Sequence, residues 1–130
     1  LASKSGLLPR VHMLGYVPLE DKASLIKSSL FLTIPSRKEA MSIVALEAGI
    51  LGRPVLLTNV CGFDEVERVS GGLVVEPNVN SFSEGLLKLL DKNNDLDKMG
   101  NNLKNFVREN YLWSQAAEQH VDVFKTSIMK

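Results

Sequence analysis

Two carboxylates, Glu39 and Glu47, stand eight residues apart in a segment that could bind an anion. Glu47 is the one polar side chain in the run from residue 43 to residue 51, and a helix that is apolar all round is normally buried. A buried carboxylate without a partner is costly, so Glu47 must meet a cation or line a wet cleft. Two roles stay open: a structural Glu paired with Arg or Lys of a neighbouring helix, or a ligand-binding carboxylate.

The start of this helix is the second chemical feature. Ser42 suits an N-cap position and Gly52 a C-terminal stop. The first amides of the helix would then follow the carboxyl end of a strand, where open α/β sheets bind ligands and where helix dipoles favour phosphate. At a rise of about 1.5 Å per residue, Glu47 lies ~7.5 Å beyond the helix start, while Glu39 lies before it. A nucleotide sugar matches this order, because hydroxyl groups flank its diphosphate on both sides.

The elements that position these residues are predicted from apolar patterning. Short apolar runs bounded by Gly, Pro or Asn are typical of buried parallel strands, and longer runs are typical of helices. The predicted strands are 11–17, 30–35, Val55–Thr58 and 73–75. The predicted helices are 19–29, 42–51, 62–69, 82–90, 95–110 and 114–129, with breaks at 93–94 and 111–112. Alternating strands and helices predict one α/β domain over 1–130, a parallel sheet with flanking helices, ending in the helices of 95–130.

Composition narrows the function classes. The chain has 130 residues, 45% of them hydrophobic, and 15 basic residues balance 15 acidic ones. These values predict one globular domain and exclude disorder. A pI near 6.9 argues against a nucleic-acid binder driven by bulk charge. No apolar run reaches the roughly 18 residues that a membrane-spanning helix requires.

Cysteine and histidine offer little chemistry of their own. Cys61 has no partner for a disulfide, which indicates a reducing compartment, and with Gly62 it is expected to form a structural turn. His12 and His120 are too far apart to indicate a metal site, and His12 is expected to be partly buried on a strand. No serine-hydrolase, dithiol or P-loop motif is present.

The segment around the two carboxylates resembles a known family. Residues 35–48 read PSRKEAMSIVALEA, which is similar to the E-x7-E segment of retaining glycosyltransferases of family 4, enzymes with the GT-B fold. The similarity continues through HMLGYV (12–17), GRPV (52–55), GFDE (62–65), GLVVEP (72–77) and Trp113. The resemblance implies a Rossmann-like, carboxyl-terminal donor-binding domain of a GT-B enzyme. This domain would be truncated at its amino-terminal side, because the chain starts inside the helix that follows the domain's first strands.

The resemblance also implies roles for individual residues. Glu39 would contact the transferred sugar and stabilise its reacting centre, and Glu47 would bind the ribose hydroxyls. The other implied donor-binding residues are Tyr16 and Val17 beside the base, and Ala40, Met41, Ser42, Ile43 and Val44 around the diphosphate, with backbone N–H groups of Met41, Ser42 and Ile43 as donors.

The chain departs from the family at three glycine positions. Ala40, Ser42 and Cys61 stand where family members usually have glycine, and their small side chains are expected to alter donor selectivity without abolishing binding. The family's Gly-Arg and Lys-Gly, whose basic side chains neutralise the diphosphate, are absent from this chain. We therefore expect these 130 residues alone to be inactive.

The implied reaction transfers a hexosyl unit from a UDP-, GDP- or ADP-sugar to a hydroxyl acceptor with retention of anomeric configuration, in glycan or polysaccharide biosynthesis. Backbone dipoles would stabilise the departing diphosphate, so neither a metal nor another cofactor is expected. A missing amino-terminal domain would bind most of the acceptor. The implied location is cytoplasmic, at the cytoplasmic face of a membrane where the acceptor is lipid-linked, and no nucleic-acid partner is expected.

Two alternatives remain at this point. A nucleotide-sugar 2-epimerase of related architecture would bind the same donor but require no acceptor. A non-catalytic nucleotide-binding or interaction module would keep only the fold. Product analysis distinguishes the first alternative from a transferase, and nucleotide titration distinguishes the second.

Overall fold

The computed structural model describes residues 6, 8–91 and 95–128. Three strands and six α-helices, with one short 3-10 helix, make up this part of the chain. The strands are β1 (Leu32–Ile34), β2 (Val55–Thr58) and β3 (Gly72–Val75). The 3-10 helix is Leu8–Arg10, and the α-helices are α1 (Leu19–Ser28), α2 (Ile43–Ile50), α3 (Glu65–Arg68), α4 (Val79–Leu89), α5 (Leu96–Asn110) and α6 (Trp113–Ile128).

The strands form one parallel sheet in the order β1-β2-β3. Leu32 lies opposite Val55, and Val55 lies opposite Gly72, so all three strands end at the same edge. Every residue of the central strand β2 is buried, because helices cover both of its faces. The expected α/β class with a parallel sheet and flanking helices is confirmed.

Alternation along β2 assigns the helices to the two faces of the sheet. Leu56 points at α4, where a Cβ on Gly85 would lie 2.7 Å from its Cδ1 atom. Val55 and Leu57 point the other way, into a core that also includes buried residues of α1, α2 and α5. The sheet is therefore the middle layer of three.

Small residues bring α2 close to α5. Ala45 and Ala48 are fully buried, and a Cβ added at Gly49 would lie 2.7 Å from Val107 Cγ2 and 3.0 Å from Leu103 Cγ. Such close packing leaves α2 little freedom to shift. The amino terminus of α2 is thereby held next to the carboxyl edge of β1.

The prediction of a strand over 11–17 is wrong. This segment is irregular and pairs with no strand among the described residues, and His12 is exposed rather than partly buried. An isolated extended segment has no ladder hydrogen bonds to stabilise it. The predicted helix over 62–69 also shortens to the four residues of α3.

The other predicted elements are confirmed with small shifts of their ends. The 30–35 strand shortens to β1, β3 begins at Gly72, and the chain breaks at residues 111–112 as expected. The predicted break at 93–94 and the last predicted helical residue, 129, lie outside the described residues. Over residues 8–91 and 95–128, the helices are too short or too polar to span a bilayer.

Candidate active site

The β1–α2 loop (residues 35–42) is anchored to the β2–α3 turn (residues 59–64) by backbone contacts. The Glu39 amide donates to the Val60 carbonyl at 3.2 Å, and the Ser42 amide donates to the Cys61 carbonyl at 3.0 Å. Gly62 has a φ of +62°, and a Cβ there would collide with the Ala40 carbonyl. The position of the loop that carries Glu39 is thus set by the turn after β2.

Cys61 is a core residue of this turn. Its side chain is fully buried, and Sγ lies 3.3 Å from Thr58 Oγ1 and 3.8 Å from the Ile34 carbonyl. The expected structural role of Cys61 is confirmed. The side chain lies beneath the loop rather than on its solvent side, so it leaves the surface of the loop open.

Glu39 is half-buried and oriented by a chain of hydroxyl groups. Ser36 Oγ donates to Glu39 Oε2 at 3.0 Å, and Thr58 Oγ1 donates to the Ser36 carbonyl at 2.7 Å. Thr58 is buried at the end of β2, so this chain connects the carboxylate to the sheet. Glu39 Oε1 accepts no hydrogen bond from the described residues and remains available to a ligand.

The start of α2 exposes unpaired amides. Ile43 is 68% exposed, and within the part of the chain that the structure describes the amides of Met41, Ile43 and Val44 have no acceptor. Ser42 occupies the predicted N-cap position, but its hydroxyl is buried without a partner and makes no cap bond. Its amide is occupied by the Cys61 carbonyl, so in this conformation only Met41 and Ile43, of the three implied donors, are free.

Glu47 pairs with a lysine from a neighbouring helix. Lys22 Nζ of α1 lies 2.7 Å from Glu47 Oε1, and the two side chains are 36% and 28% exposed. This contact supplies the partner that a structural role for Glu47 requires. The second oxygen, Oε2, is buried and has no hydrogen-bond partner among the described residues, so one oxygen of the carboxylate is an unsatisfied acceptor.

A small cavity of about 190 Å³ lies between α1 and α2 beside this ion pair. Lys22 and Glu47 are the charged residues of its wall. Its remaining lining residues are Leu19, Ala23, Ile26, Ile50 and Leu51. The cavity is smaller than the roughly 300–1,000 Å³ typical of whole-ligand pockets, so it could admit one part of a nucleotide sugar.

Tyr16 and Val17 line a different cavity from Glu47. They face a groove of about 640 Å³ along α1, together with Asp21 and Ser24, and Tyr16 is 92% exposed. The structure therefore brings Glu39, Ala40 and the α2 amides together on one loop, and places Glu47 on the next turn of α2. The two residues implied to lie beside the base stand apart on the far side of α1.

Sequence reasoning did not anticipate a cavity of about 480 Å³ at the carboxyl edge of the sheet. Arg37, Thr58, Asn78 and Phe82 are among its lining residues, and Arg37 has no ion-pair partner among the described residues. Arg37 follows β1, Thr58 ends β2 and Asn78 follows β3. Their positions at the ends of three strands are the feature of the sequence that could have indicated this cavity. Lys22 was also not singled out, although the expected partner of Glu47 was a cation on a neighbouring helix.

No group of three or more His, Cys, Asp or Glu side chains could hold a metal ion within the described ranges. The pattern of unpaired groups instead combines exposed helix amides with two carboxylates. Amides suit an anion, while carboxylate oxygens suit hydroxyl donors. The arrangement can bind a molecule that carries both, and metal-independent chemistry stays a prediction.

Comparisons with known proteins identify relatives of this chain. The profile of a family described as "Glycosyl transferases group 1" matches residues 1–106. An uncharacterized glycosyltransferase of Methanocaldococcus jannaschii is 33% identical over 98% of this chain and 33% of its own length. An MMP alpha-(1->4)-mannosyltransferase of Mycolicibacterium hassiacum is 29% identical over 100% of this chain and 32% of its own length. The chain thus spans about a third of the length of the curated relatives it matches.

Solved structures give the same fold. A sucrose-phosphate synthase of Thermosynechococcus elongatus superposes with a TM-score of 0.85 at 23% identity, over 98% of this chain and 33% of that one. WaaG, a glycosyltransferase involved in lipopolysaccharide biosynthesis, superposes with a TM-score of 0.75 at 28% identity, over 94% of this chain and 33% of its own. Both are GT-B enzymes, which confirms the expected fold family.

Proposed function

Because the chain belongs to the glycosyl transferases group 1 family, we propose that it is the donor-binding part of a retaining glycosyltransferase of family 4. The protein transfers a hexosyl unit from a nucleoside diphosphate sugar to a hydroxyl acceptor. Residues 1–130 form its carboxyl-terminal domain, 95–130 supply the final helices, and an amino-terminal domain binds most of the acceptor. The product belongs to glycan or polysaccharide biosynthesis.

The observation that carries this proposal is the order of groups along the β1–α2 loop and α2. Glu39 has a free Oε1, the amides of Met41 and Ile43 are free, and Glu47 has an unpartnered Oε2. A sugar, a diphosphate and a ribose present hydroxyl groups, anionic oxygens and hydroxyl groups in the same order. Each part of the donor thus meets groups of the complementary type.

The residues of this chain act on the donor as follows. Glu39 contacts the transferred sugar and stabilises positive charge at its reacting carbon, while the amides at the start of α2 stabilise the departing diphosphate. Glu47 binds the ribose hydroxyls and so holds the nucleotide. The bond between the anomeric carbon and the diphosphate oxygen breaks, and the acceptor oxygen bonds to that carbon on the same face, which retains the configuration. The proton of the acceptor hydroxyl passes to the departing diphosphate.

The proposal extends to location. The lone cysteine is buried and free, as is usual in a reducing compartment, so we place the protein in the cytoplasm. A lipid-linked acceptor would bring it to the cytoplasmic face of the membrane. No metal or other cofactor is required by the roles given to these residues.

The test is an assay of the full-length protein with radiolabelled UDP-, GDP- and ADP-hexoses and a panel of hydroxyl acceptors. Transfer to an acceptor, with an anomeric configuration equal to that of the donor by NMR, supports the proposal, whereas inversion overturns its retaining part. Conversion of free nucleotide sugar without an acceptor would indicate the epimerase. No binding of UDP, GDP or ADP would favour the interaction module.

Residues 1–130 alone provide a second test. Within the described part of the chain, the groups that we assign to the donor are the helix amides and the two carboxylates, so we propose that residues 1–130 alone transfer no sugar. Their nucleoside diphosphate affinity should be no better than about 1 mM, or about −4 kcal/mol. Micromolar binding in a calorimetric titration, or turnover, would contradict this part of the proposal.

A further inference from the structure

We infer that Lys22 is a positioning residue of the nucleotide site, whose ammonium holds one oxygen of Glu47 so that the other faces the ribose. The inference rests on the proposed function, because it concerns the same donor site. Its basis is the asymmetry of the Glu47 carboxylate. Oε1 lies 2.7 Å from Lys22 Nζ, whereas Oε2 is buried and has no partner among the described residues.

The unpartnered oxygen indicates a missing hydrogen-bond donor. Buried polar atoms in native proteins nearly always have a partner, and an unsatisfied one costs free energy. An ionised carboxylate accepts up to about four hydrogen bonds, so the bond from Lys22 leaves capacity for others. A ribose carries two adjacent hydroxyl groups, and either of them could satisfy Oε2.

The surroundings of the carboxylate leave few other donors. Apart from Lys22 and Glu47, the cavity beside the pair is lined by apolar side chains of α1 and α2. Those side chains cannot compete for Oε2. A hydroxyl group of a bound molecule that reaches the carboxylate would supply the missing donor.

Stability does not explain the ion pair equally well. Lys22 and Glu47 are both partly exposed, and pairs of this kind contribute only about 0–1 kcal/mol to folding. The effect of the ion pair on geometry is more specific, because the short contact with Lys22 limits rotation of the Glu47 carboxylate about its terminal side-chain torsion. Lys22 engages Oε1 alone, so it orients Glu47 without closing the acceptor.

The experiment measures binding of UDP, GDP and ADP to the full-length protein by calorimetry, and donor KM and kcat with the donor sugar that the wild type uses. The variants are Lys22→Met, Lys22→Arg, Glu47→Gln and the Lys22→Met/Glu47→Gln double variant. Lys27→Met is the matched control, because Lys27 is an exposed lysine near the other end of α1. Thermal unfolding of each variant reports any loss of fold.

Lys22→Met is expected to raise the nucleotide Kd and the donor KM about 10-fold, the size of one lost charge-assisted hydrogen bond, with kcat within about twofold of wild type. Lys22→Arg should restore most of the affinity, and Lys27→Met should have no effect. In the Glu47→Gln background, Lys22→Met should change nothing further, because its action passes through Glu47.

Three results would overturn the inference. The first two are wild-type affinity and tighter nucleotide binding in Lys22→Met. The third is an undiminished effect of Lys22→Met in the Glu47→Gln background, because that result would mean that Lys22 contacts the ligand directly. If Glu47→Gln weakens binding while Lys22→Met does not, the inference fails and the proposed function stands. If the wild type binds none of the three nucleotides, the proposed function fails and this inference fails with it.

Discussion

Glu39 and Glu47 belong to the same short segment but are held in opposite ways. Glu39 lies on a loop, and its carboxylate is oriented by a neutral hydroxyl group from three residues earlier, Ser36. Glu47 lies within a helix, and its carboxylate is oriented by a cation from another helix, Lys22. The group that orients Glu39 therefore comes from its own loop, whereas the group that orients Glu47 depends on the packing of α1 against α2.

This difference predicts that the two sites fail differently. Changes near Glu39 should affect turnover through the reacting sugar. Changes near Glu47 should affect nucleotide affinity and, to a small extent, folding stability. The following variants of the full-length protein test whether these consequences separate.

Glu39→Gln should produce the largest effect. The amide is nearly isosteric with the carboxylate but carries no negative charge at the reacting carbon, so turnover should fall about 100-fold or more. The fold should be unaffected, because Glu39 is half-buried on a loop. Steady-state kinetics and a melting curve measure the two quantities, and activity within about twofold of wild type would remove Glu39 from the mechanism.

Gly62→Ala should damage the support of Glu39 rather than its chemistry. A Cβ at this positive-φ residue meets the Ala40 carbonyl, so the loop must shift at a cost of about 2 kcal/mol or more. The free energy of unfolding, measured by chemical denaturation, and kcat should fall together. Gly52→Ala is the control, since Gly52 also has positive φ but its nearest neighbour, Lys104 Cδ, would lie at 3.7 Å; equal losses in both variants would refute a specific role for the Ala40 contact.

Glu47→Ala should weaken nucleotide binding with little loss of stability. Removal of the hydrogen bonds to ribose costs about 1–3 kcal/mol, while the partly exposed Lys22 can hydrate once its partner is gone. Calorimetric titration and thermal unfolding of the same variant separate the two roles. A large drop in melting temperature with normal affinity in the remaining folded protein would instead establish a purely structural Glu47.

Ser36→Ala should produce a smaller effect than Glu39→Gln at the same carboxylate. The variant removes one hydrogen bond to Oε2, worth about 0.5–1.5 kcal/mol, and leaves the charge of Glu39 in place. A decrease in kcat of about 3- to 10-fold with an unchanged nucleotide Kd is expected. An effect on Kd alone would show that Ser36 serves the nucleotide and not Glu39.

The smallest effect is a change in folding stability at alkaline pH. It involves Tyr111, which contacts the β2–α3 turn that anchors the Glu39 loop. Phe63 follows Gly62 in this turn, and its ring makes an edge contact with the ring of Tyr111 at a centroid distance of 5.6 Å. Burial, and then the nearby Glu65, raise the pKa of Tyr111 above its usual value of 10.0, and Arg68 partly opposes them.

Because the folded protein holds the phenolic proton more tightly, Tyr111 contributes stability that is present below about pH 10 and is lost as the pH rises through its raised pKa. Tyr111→Phe should remove this part of the alkaline loss. The measurement is the free energy of unfolding of the wild type and of Tyr111→Phe, determined by urea denaturation at pH 8 and above pH 10. Identical pH dependence in the wild type and the variant would contradict the assignment.

Much of this arrangement was accessible to sequence reasoning. The apolar run with a single carboxylate predicted α2 and the exceptional status of Glu47, because helix periodicity and the cost of burying a charge are local properties. The strand β2 was predicted with its observed bounds for a similar reason: a short β-branched and leucine-rich run is bounded by Pro54 and Asn59. The GT-B family was identified from ordered motifs that cover nearly the whole chain.

The segment 11–17 shows why other parts of the fold could not be predicted from the sequence. Its composition favours a strand, but a strand exists only when another strand donates and accepts its hydrogen bonds. No described strand lies beside it, so local propensity was overridden. The same limit applies to Ser42, whose residue type suits a cap although its hydroxyl makes no cap bond.

The sequence by itself determined the kind of side chain at each position of the candidate site, the helix that carries Glu47 and the family of the fold, because these depend on residue types, their spacing and their order. Only the tertiary structure decided that Lys22 meets Glu47 across 25 residues of chain, that Cys61 engages the Ser42 amide, and that Tyr16 lies away from the Glu47 cavity. Those contacts depend on the packing of separate elements, which residue spacing along the chain does not specify.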